Sequence, residues 1–175
     1  NLGSPIIFKQ QRAGLHGKKF TLYKFRSMTN EVDENGALLP NNQRLTKFGK
    51  ILRSTSMDEL PELFNILTGK MSIVGPRPLL VEYLERYNEE QMKRHNVRPG
   101  LTSLTAVNGR ASLSWDKRLE MDVWYANNLS FILDLKIVIK TFITVFKREN
   151  ISSDRGKFMG TSVNKKDLEE RVKID

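Results

Sequence analysis

The chain contains no cysteine, only two histidines (His16 and His95), and no apolar run near the ~18–20 residues that a membrane-spanning helix needs. The first absence excludes disulfides and thiolate zinc sites and is compatible with a reducing compartment. The second argues against a histidine metal centre and against a Ser-His-Asp triad. The third means that no stretch of the sequence is long and apolar enough to span a bilayer as a helix, and no signal peptide is in view. Any chemistry must therefore come from carboxylates, Lys, Arg, Tyr or a loosely held hard cation.

What the chain has in excess is positive charge. Its 175 residues carry 29 Lys and Arg against 20 Asp and Glu, a formal charge of +9, with a pI near 9.8. The length fits one domain with a real core. The charge calls for an anionic partner: nucleic acid, anionic lipid or a phosphorylated substrate.

The most informative stretch runs from Ser56 to Leu67. Ser56 with Glu59 three residues on reads as a capping box at a helix start, and Leu60, Leu63, Phe64 and Leu67 form one apolar face. Asp58 and Glu59 would then sit in the first turn. In the plain alternative Glu59 caps and Asp58 compensates the helix dipole. In the functional reading the same positive helix end keeps Asp58 ionised as a nucleophile and favours a bound phosphate.

Upstream, Ile6–Gln10 and Phe20–Arg26 read as a hairpin around a basic loop marked by Gly14 and Gly17, and residues 30–42 as a mobile polar loop. Residues 44–53 form a basic amphipathic helix with Leu45, Phe48, Ile51 and Leu52 on one side. Residues 1–55 hold ten Lys or Arg and three acids, which suits a membrane surface or a phosphate. Downstream, Met71–Val74 is a short strand leading into Gly75-Pro76-Arg77-Pro78. Two prolines fix the backbone around Arg77, and Arg suits bidentate phosphate recognition. A strand-to-helix turn with Pro78 at the first helical position is the structural alternative.

Residues 79–95 read as one long amphipathic helix ending at His95. Asn108-Gly109 reads as a hairpin turn after a 101–107 strand, and Ser114 as the cap of a helix from Trp115 to about Tyr125. Between Leu129 and Arg148, Lys136, Lys140 and Lys147 share a narrow strip opposite Leu135, Val138, Ile139, Phe142, Ile143 and Phe146. That pattern fits a helix lying in a membrane interface, and equally a packed core helix. Residues 154–175 read as a polar tail after a domain of residues 1–153. The fold expectation is mixed α/β: a compact single domain with small β-hairpins and several amphipathic interfacial helices.

A set of strings along this order resembles the bacterial sugar transferases, the monotopic polyprenyl-phosphate phosphoglycosyl transferases. They are Tyr23-Lys24-Phe25-Arg26-Ser27-Met28, Phe48-Gly49-Lys50-Ile51-Leu52-Arg53, Asp58-Glu59-Leu60-Pro61, Gly69 to Pro78, Arg98-Pro99-Gly100-Leu101-Thr102, Val107-Asn108-Gly109-Arg110 and Asp122-Val123-Trp124-Tyr125. Each string is weak alone; the set, over roughly residues 4–153, is specific.

The resemblance implies transfer of a sugar-1-phosphate from a UDP-sugar to polyprenyl (undecaprenyl) phosphate, with UMP released, at the start of glycan or exopolysaccharide assembly. It implies Asp58 as nucleophile in a covalent aspartyl-phosphosugar intermediate. Glu59 is its dyad partner, either binding Mg²⁺ or positioning the acceptor. Lys24, Arg53, Arg77 and Arg110 fall on basic positions of the motifs and are expected to contact phosphate or uridine diphosphate. The implied partners are the UDP-sugar, polyprenyl phosphate and a membrane surface at the cytoplasmic face of the bacterial inner membrane, and no nucleic acid.

The family's opening membrane helix would lie upstream of Asn1, so this chain is expected to lack its membrane anchor. Where the family commonly reads Gly-Ile-Thr-Gly-Trp-Ala-Gln-Val-Asn-Gly-Arg, this chain has Gly100-Leu101-Thr102-Ser103-Leu104-Thr105-Ala106-Val107-Asn108-Gly109-Arg110. Local substrate contacts are expected to differ there. The rival reading is a non-catalytic basic module binding anionic lipid or nucleic acid, which gives no role to an Asp58-Glu59 pair near Arg77.

Overall fold

The computed structural model describes residues 3–109, 113–146, 158 and 160. Strands β1 (Ile7–Ala13) and β2 (Lys19–Phe25) form the expected antiparallel hairpin, in a register that sets Phe8 opposite Lys24 and Arg12 opposite Phe20. Short helix α1 (Asn41–Arg44) leads to α2 (Lys47–Ser54), whose first turn is closed by Thr46 Oγ1 accepting from Gly49 N at 2.9 Å. Gly49 is required where α2 meets β2's exit: a Cβ there would lie 1.9 Å from the Ser27 carbonyl oxygen.

Helix α3 (Glu62–Leu67) docks on β2 through Asn65, whose Nδ2 donates to Thr21 O at 2.8 Å while its Oδ1 accepts from Tyr23 N at 3.2 Å. Strand β3 (Ser72–Val74) pairs in parallel with β4 (Gly100–Thr102). The two backbones meet so closely that a Cβ on Gly100 would sit 2.1 Å from Gly75 N.

Two expectations fail between these strands and after them. Residues 79–95 are not one helix. They fold as a 3₁₀ segment (Val81–Arg86), an α-turn α4 (Glu89–Met92) and a second 3₁₀ turn (Lys93–Asn96). Tyr87 is extended, and Asn88 with Gln91 makes a full capping box that starts a new helix. Gln91, Arg94 and His95 are buried, so side chains that periodicity assigns to solvent face the interior instead.

Asn108-Gly109 does not turn a hairpin. Ser103 caps α5 (Leu104–Val107) by accepting from Ala106 N at 3.0 Å, and Gly109, at φ 125°, lies just past its end. The Asn-Gly pair follows the end of a helix instead of joining two strands, a position glycine often takes.

Helix α6 (Trp115–Asn127) begins at Ser114 as expected, and α7 (Phe131–Phe146) follows. Tyr125 Oη donates to Asp134 Oδ1 at 2.7 Å across the α6–α7 joint. Among the described residues three small cores form: Phe20, Leu22 and Met71 under the hairpin; Val74, Tyr125 and Ile137 between β3, α6 and α7; and Tyr83, Tyr87, Leu119 and Phe158. Phe158, from beyond the composition boundary at 153, is 1 % exposed, with its carbonyl accepting from Arg86.

Among the described side chains of α7 only Ile137 is fully buried, whereas Leu135, Ile139, Phe142 and Ile143 are each about half exposed or more. Phe48, Ile51, Leu60, Leu63, Phe64 and Leu67 are exposed as well. The apolar faces foreseen on these helices are present and are not consumed by the core. Among the described residues no helix is long and apolar enough to cross a membrane.

Candidate active site

Asp58 and Glu59 lie on a single 3₁₀ turn, Met57–Glu59, ahead of α3 rather than in the first turn of a capped α-helix. The expected capping box is not formed: Ser56 has φ 56° and ψ 16°, left-handed, and its side chain makes no cap bond. A non-glycine residue there is uncommon, and such residues concentrate at functional sites. The sharp reversal after α2 brings Glu59 to Lys24 of the hairpin.

Two elements converge on Glu59. Lys24 from β2 and Arg77 from the Pro76-Arg77-Pro78 turn both reach its Oε1, with Nζ and Nη2 each at 2.8 Å. Burial would raise the Glu59 pKa, but Arg77 and then Lys24 outweigh it and hold the carboxyl well below the usual range. Arg77 is correspondingly held above its ordinary value, chiefly by Glu59.

Asp58 is half-buried and forms no ion pair among the described residues. Desolvation, then the neighbouring Glu59 charge, raise its pKa above the ordinary 3.8, against the pull of Lys24, Arg53 and Arg77. The free carboxylate is therefore the one with basicity to spare. Arg53, on the last turn of α2, donates from Nε to Ser27 Oγ at 2.8 Å and stands close enough to Asp58 to feel its charge.

Lys24, Arg53, Asp58, Glu59 and Arg77 are thus brought together from β2, α2, the 3₁₀ turn and the double-proline turn. Arg110 lies outside the described residues.

Two contributors were not singled out from sequence. Glu62, 3 % exposed, takes a second contact from Lys24 Nζ at 2.9 Å, so one ammonium bridges two carboxylates. Its signal was the one-turn spacing from Asp58, read only as part of an apolar helix. Arg94 is the other. Its Nη2 donates to the Arg77 carbonyl at 2.8 Å and to Asp122 Oδ2 at 2.7 Å, with Nε adding a 3.1 Å bond to the same oxygen. Burial alone would lower the Arg94 pKa; Asp122 reverses that and keeps the guanidinium charged. Asp122 lay in a matching string, but nothing in one sequence pairs it with Arg94.

Sequence comparison with known proteins shows the family. The sequence profile described as bacterial sugar transferase aligns with residues 1–148. An uncharacterized sugar transferase, EpsL, of Bacillus subtilis is 56% identical over 150 residues, covering 86% of this chain and 74% of that protein. A UDP-glucose:undecaprenyl-phosphate glucose-1-phosphate transferase of Klebsiella pneumoniae is 45% identical, covering 82% of this chain and 32% of the relative. An undecaprenyl-phosphate galactose phosphotransferase of Salmonella typhimurium is 40% identical, with 84% and 34% covered. The chain belongs to the bacterial sugar transferase family. It spans about three-quarters of the Bacillus protein and about a third of the two longer relatives.

Proposed function

We propose that this chain transfers a sugar-1-phosphate from a UDP-sugar to undecaprenyl phosphate, with Asp58 as nucleophile. The observation that carries the reading is the unequal fate of two adjacent carboxylates. Glu59 is held through Oε1 by Lys24 and Arg77, while Asp58 beside it makes no ion pair among the described residues and is more basic than usual.

An Asp58 oxygen attacks the sugar-side phosphorus and the bond from that phosphorus to the bridging oxygen breaks, so UMP leaves with the electron pair. An oxygen of the lipid phosphate then attacks the same phosphorus, freeing the Asp58 carboxylate and forming the lipid diphosphosugar. This is covalent catalysis in two displacements. Lys24, Arg53 and Arg77 neutralise charge on the non-bridging oxygens, which is the main task in phosphoryl transfer.

Mg²⁺ belongs to the proposal through Glu59. Among the described residues no three acidic or histidine side chains could hold a metal ion alone. Mg²⁺ needs no such cage, since it is commonly held by one or two carboxylates together with substrate phosphates. Glu59, with only Oε1 taken by cations, and Asp58 fit that mode. When bound, the ion would supply charge neutralisation on the diphosphate.

An apolar groove of about 1050 Å³, with Pro61, Phe64, Lys9 and Arg26 among its lining, suits a polyprenyl chain. The exposed apolar faces of α2, α3 and α7 suit attachment at the cytoplasmic face of the inner membrane.

The test is UMP release from UDP-glucose and UDP-galactose with Mg²⁺ and undecaprenyl phosphate in detergent. Asp58→Asn is expected to abolish turnover while the variant stays folded. Substantial turnover by that variant removes Asp58 as nucleophile. Lipid binding without any UMP release by the parent chain favours the non-catalytic basic module.

A further inference from the structure

Strand β1 carries a cation that the scheme above leaves unused. Directly opposed residues of an antiparallel pair share a face, so the Phe8–Lys24, Gln10–Leu22 and Arg12–Phe20 partners put Gln10, Arg12 and Lys24 on one side of the hairpin. That side faces the carboxylates, because Lys24 meets Glu59 and Glu62 there. Arg12 reaches toward Gln10, its Nη2 donating to Gln10 Oε1 at 2.7 Å. Its backbone is bridged to Leu80, and Ala13 N donates to Leu79 O at 3.1 Å, so it lies against the segment leaving Arg77-Pro78. The guanidinium is thereby set among Arg77, Glu62 and Tyr83, all of which act on its charge.

As architecture this is a poor arrangement. Arg12 Nε is buried with no hydrogen-bond partner among the described residues. Arg77 is a like charge, and the nearby Glu62 carboxylate is already in contact with Lys24 at 2.9 Å. Burial, and then Arg77, lower the Arg12 pKa to about 10. A buried donor without an acceptor is costly, and native structures rarely keep one without a reason. A rigid fork of N–H groups matches tetrahedral phosphate oxygens.

We infer that Arg12 and Arg77 form an oxyanion subsite for a substrate phosphate, with Arg12 Nε as the donor that the phosphate satisfies. This rests on the transferase reading only for the source of the phosphate, which is the donor's diphosphate or the acceptor's monophosphate. The shared chemistry is a phosphate group held between two guanidiniums from adjoining backbone segments.

The test compares the parent chain with Arg12→Gln and Arg12→Lys in two assays: titration calorimetry with inorganic pyrophosphate, and urea unfolding without ligand. Arg12→Gln is expected to weaken pyrophosphate about 10- to 100-fold, the range for losing a charged hydrogen bond. Arg12→Lys should recover only part, having no fork. Arg12→Gln should be at least as stable as the parent without ligand, because a buried unsatisfied donor and a like charge beside Arg77 are removed. A purely architectural Arg12 would show lower stability with unchanged affinity, and that result overturns the subsite.

Two kinetic arms identify the phosphate. A loss in single-turnover UMP release from UDP-glucose or UDP-galactose assigns the subsite to the donor. A loss confined to transfer onto undecaprenyl phosphate assigns it to the acceptor. Unchanged pyrophosphate affinity with both arms intact in Arg12→Gln removes the subsite and leaves the transferase. Arg12-dependent pyrophosphate binding with no UMP release from the parent chain keeps the subsite and removes the transferase.

Discussion

Asp122→Asn is the substitution whose cost can be worked most directly from the geometry. The Arg94 and Asp122 side chains are 1% and 5% exposed, and one carboxylate oxygen accepts both Arg94 bonds. Removing one partner of a buried ion pair costs about 3–5 kcal/mol, because the other charge is left uncompensated. Asparagine keeps the shape and one acceptor oxygen, and the Tyr87 ring still lies 5.8 Å from the Arg94 guanidinium carbon. The loss should therefore fall near the lower bound, about 3 kcal/mol. At a urea slope near 2 kcal/mol/M the unfolding midpoint drops by about 1.5 M. The double variant Arg94→Met, Asp122→Leu removes both charges and should regain most of that stability. It should not regain turnover, since the Arg77 carbonyl still lacks the 2.8 Å bond from Arg94 Nη2. Urea unfolding and UMP release on the same preparations separate the two effects. A single variant within 1 kcal/mol of the parent, on the scale of a surface pair, would refute the reasoning. So would a double variant as active as the parent.

Two other perturbations follow from the site. Ionising Asp58 is harder in the fold than in the unfolded chain, since its pKa is raised above 3.8. Its charge thus lowers stability above that pH and has no effect well below it. Asp58→Asn should then unfold at higher urea than the parent at pH 7, with the gap closing as pH falls through the folded pKa and below 3.8. A gap that widens in acid would reverse the sign. The acid limb of kcat/KM for UMP release should likewise have its midpoint above 3.8, measured from pH–rate profiles. Ser56→Gly distinguishes a left-handed hinge from an N-cap. At φ 56° with no side-chain cap bond, glycine should raise stability by about 1 kcal/mol. A cap would instead lose a few tenths.

Much of the site was legible because local chemistry and global position agree there. Alternation in residues 20–26 puts Lys24 on a defined strand face, and the two prolines around Arg77 restrict its backbone whatever surrounds them. What was not legible depends on contacts between distant segments. The 79–95 helix failed because Gln91, Arg94 and His95 are polar residues with interior positions, and His95 Nδ1 meets Gly14 O at 3.0 Å, 81 residues away. Periodicity assigns such residues to solvent unless their partner is known. Ser56-x-x-Glu59 misled for a related reason: the left-handed turn that aims the dyad at Lys24 and Arg77 is incompatible with the extended backbone of a capping serine. Glu62 stayed hidden because its helix reads as apolar, yet its carboxylate is turned to Lys24.

The proposed mechanism requires Asp58 to become covalently bonded to phosphorus. Intact-mass and peptide mass spectrometry after brief exposure to UDP-glucose or UDP-galactose with Mg²⁺ measures that bond. The prediction is one sugar-phosphate adduct per chain, located on Asp58, absent in Asp58→Asn and discharged by undecaprenyl phosphate. An adduct on another residue, or UMP release with no adduct under rapid quench, would contradict it.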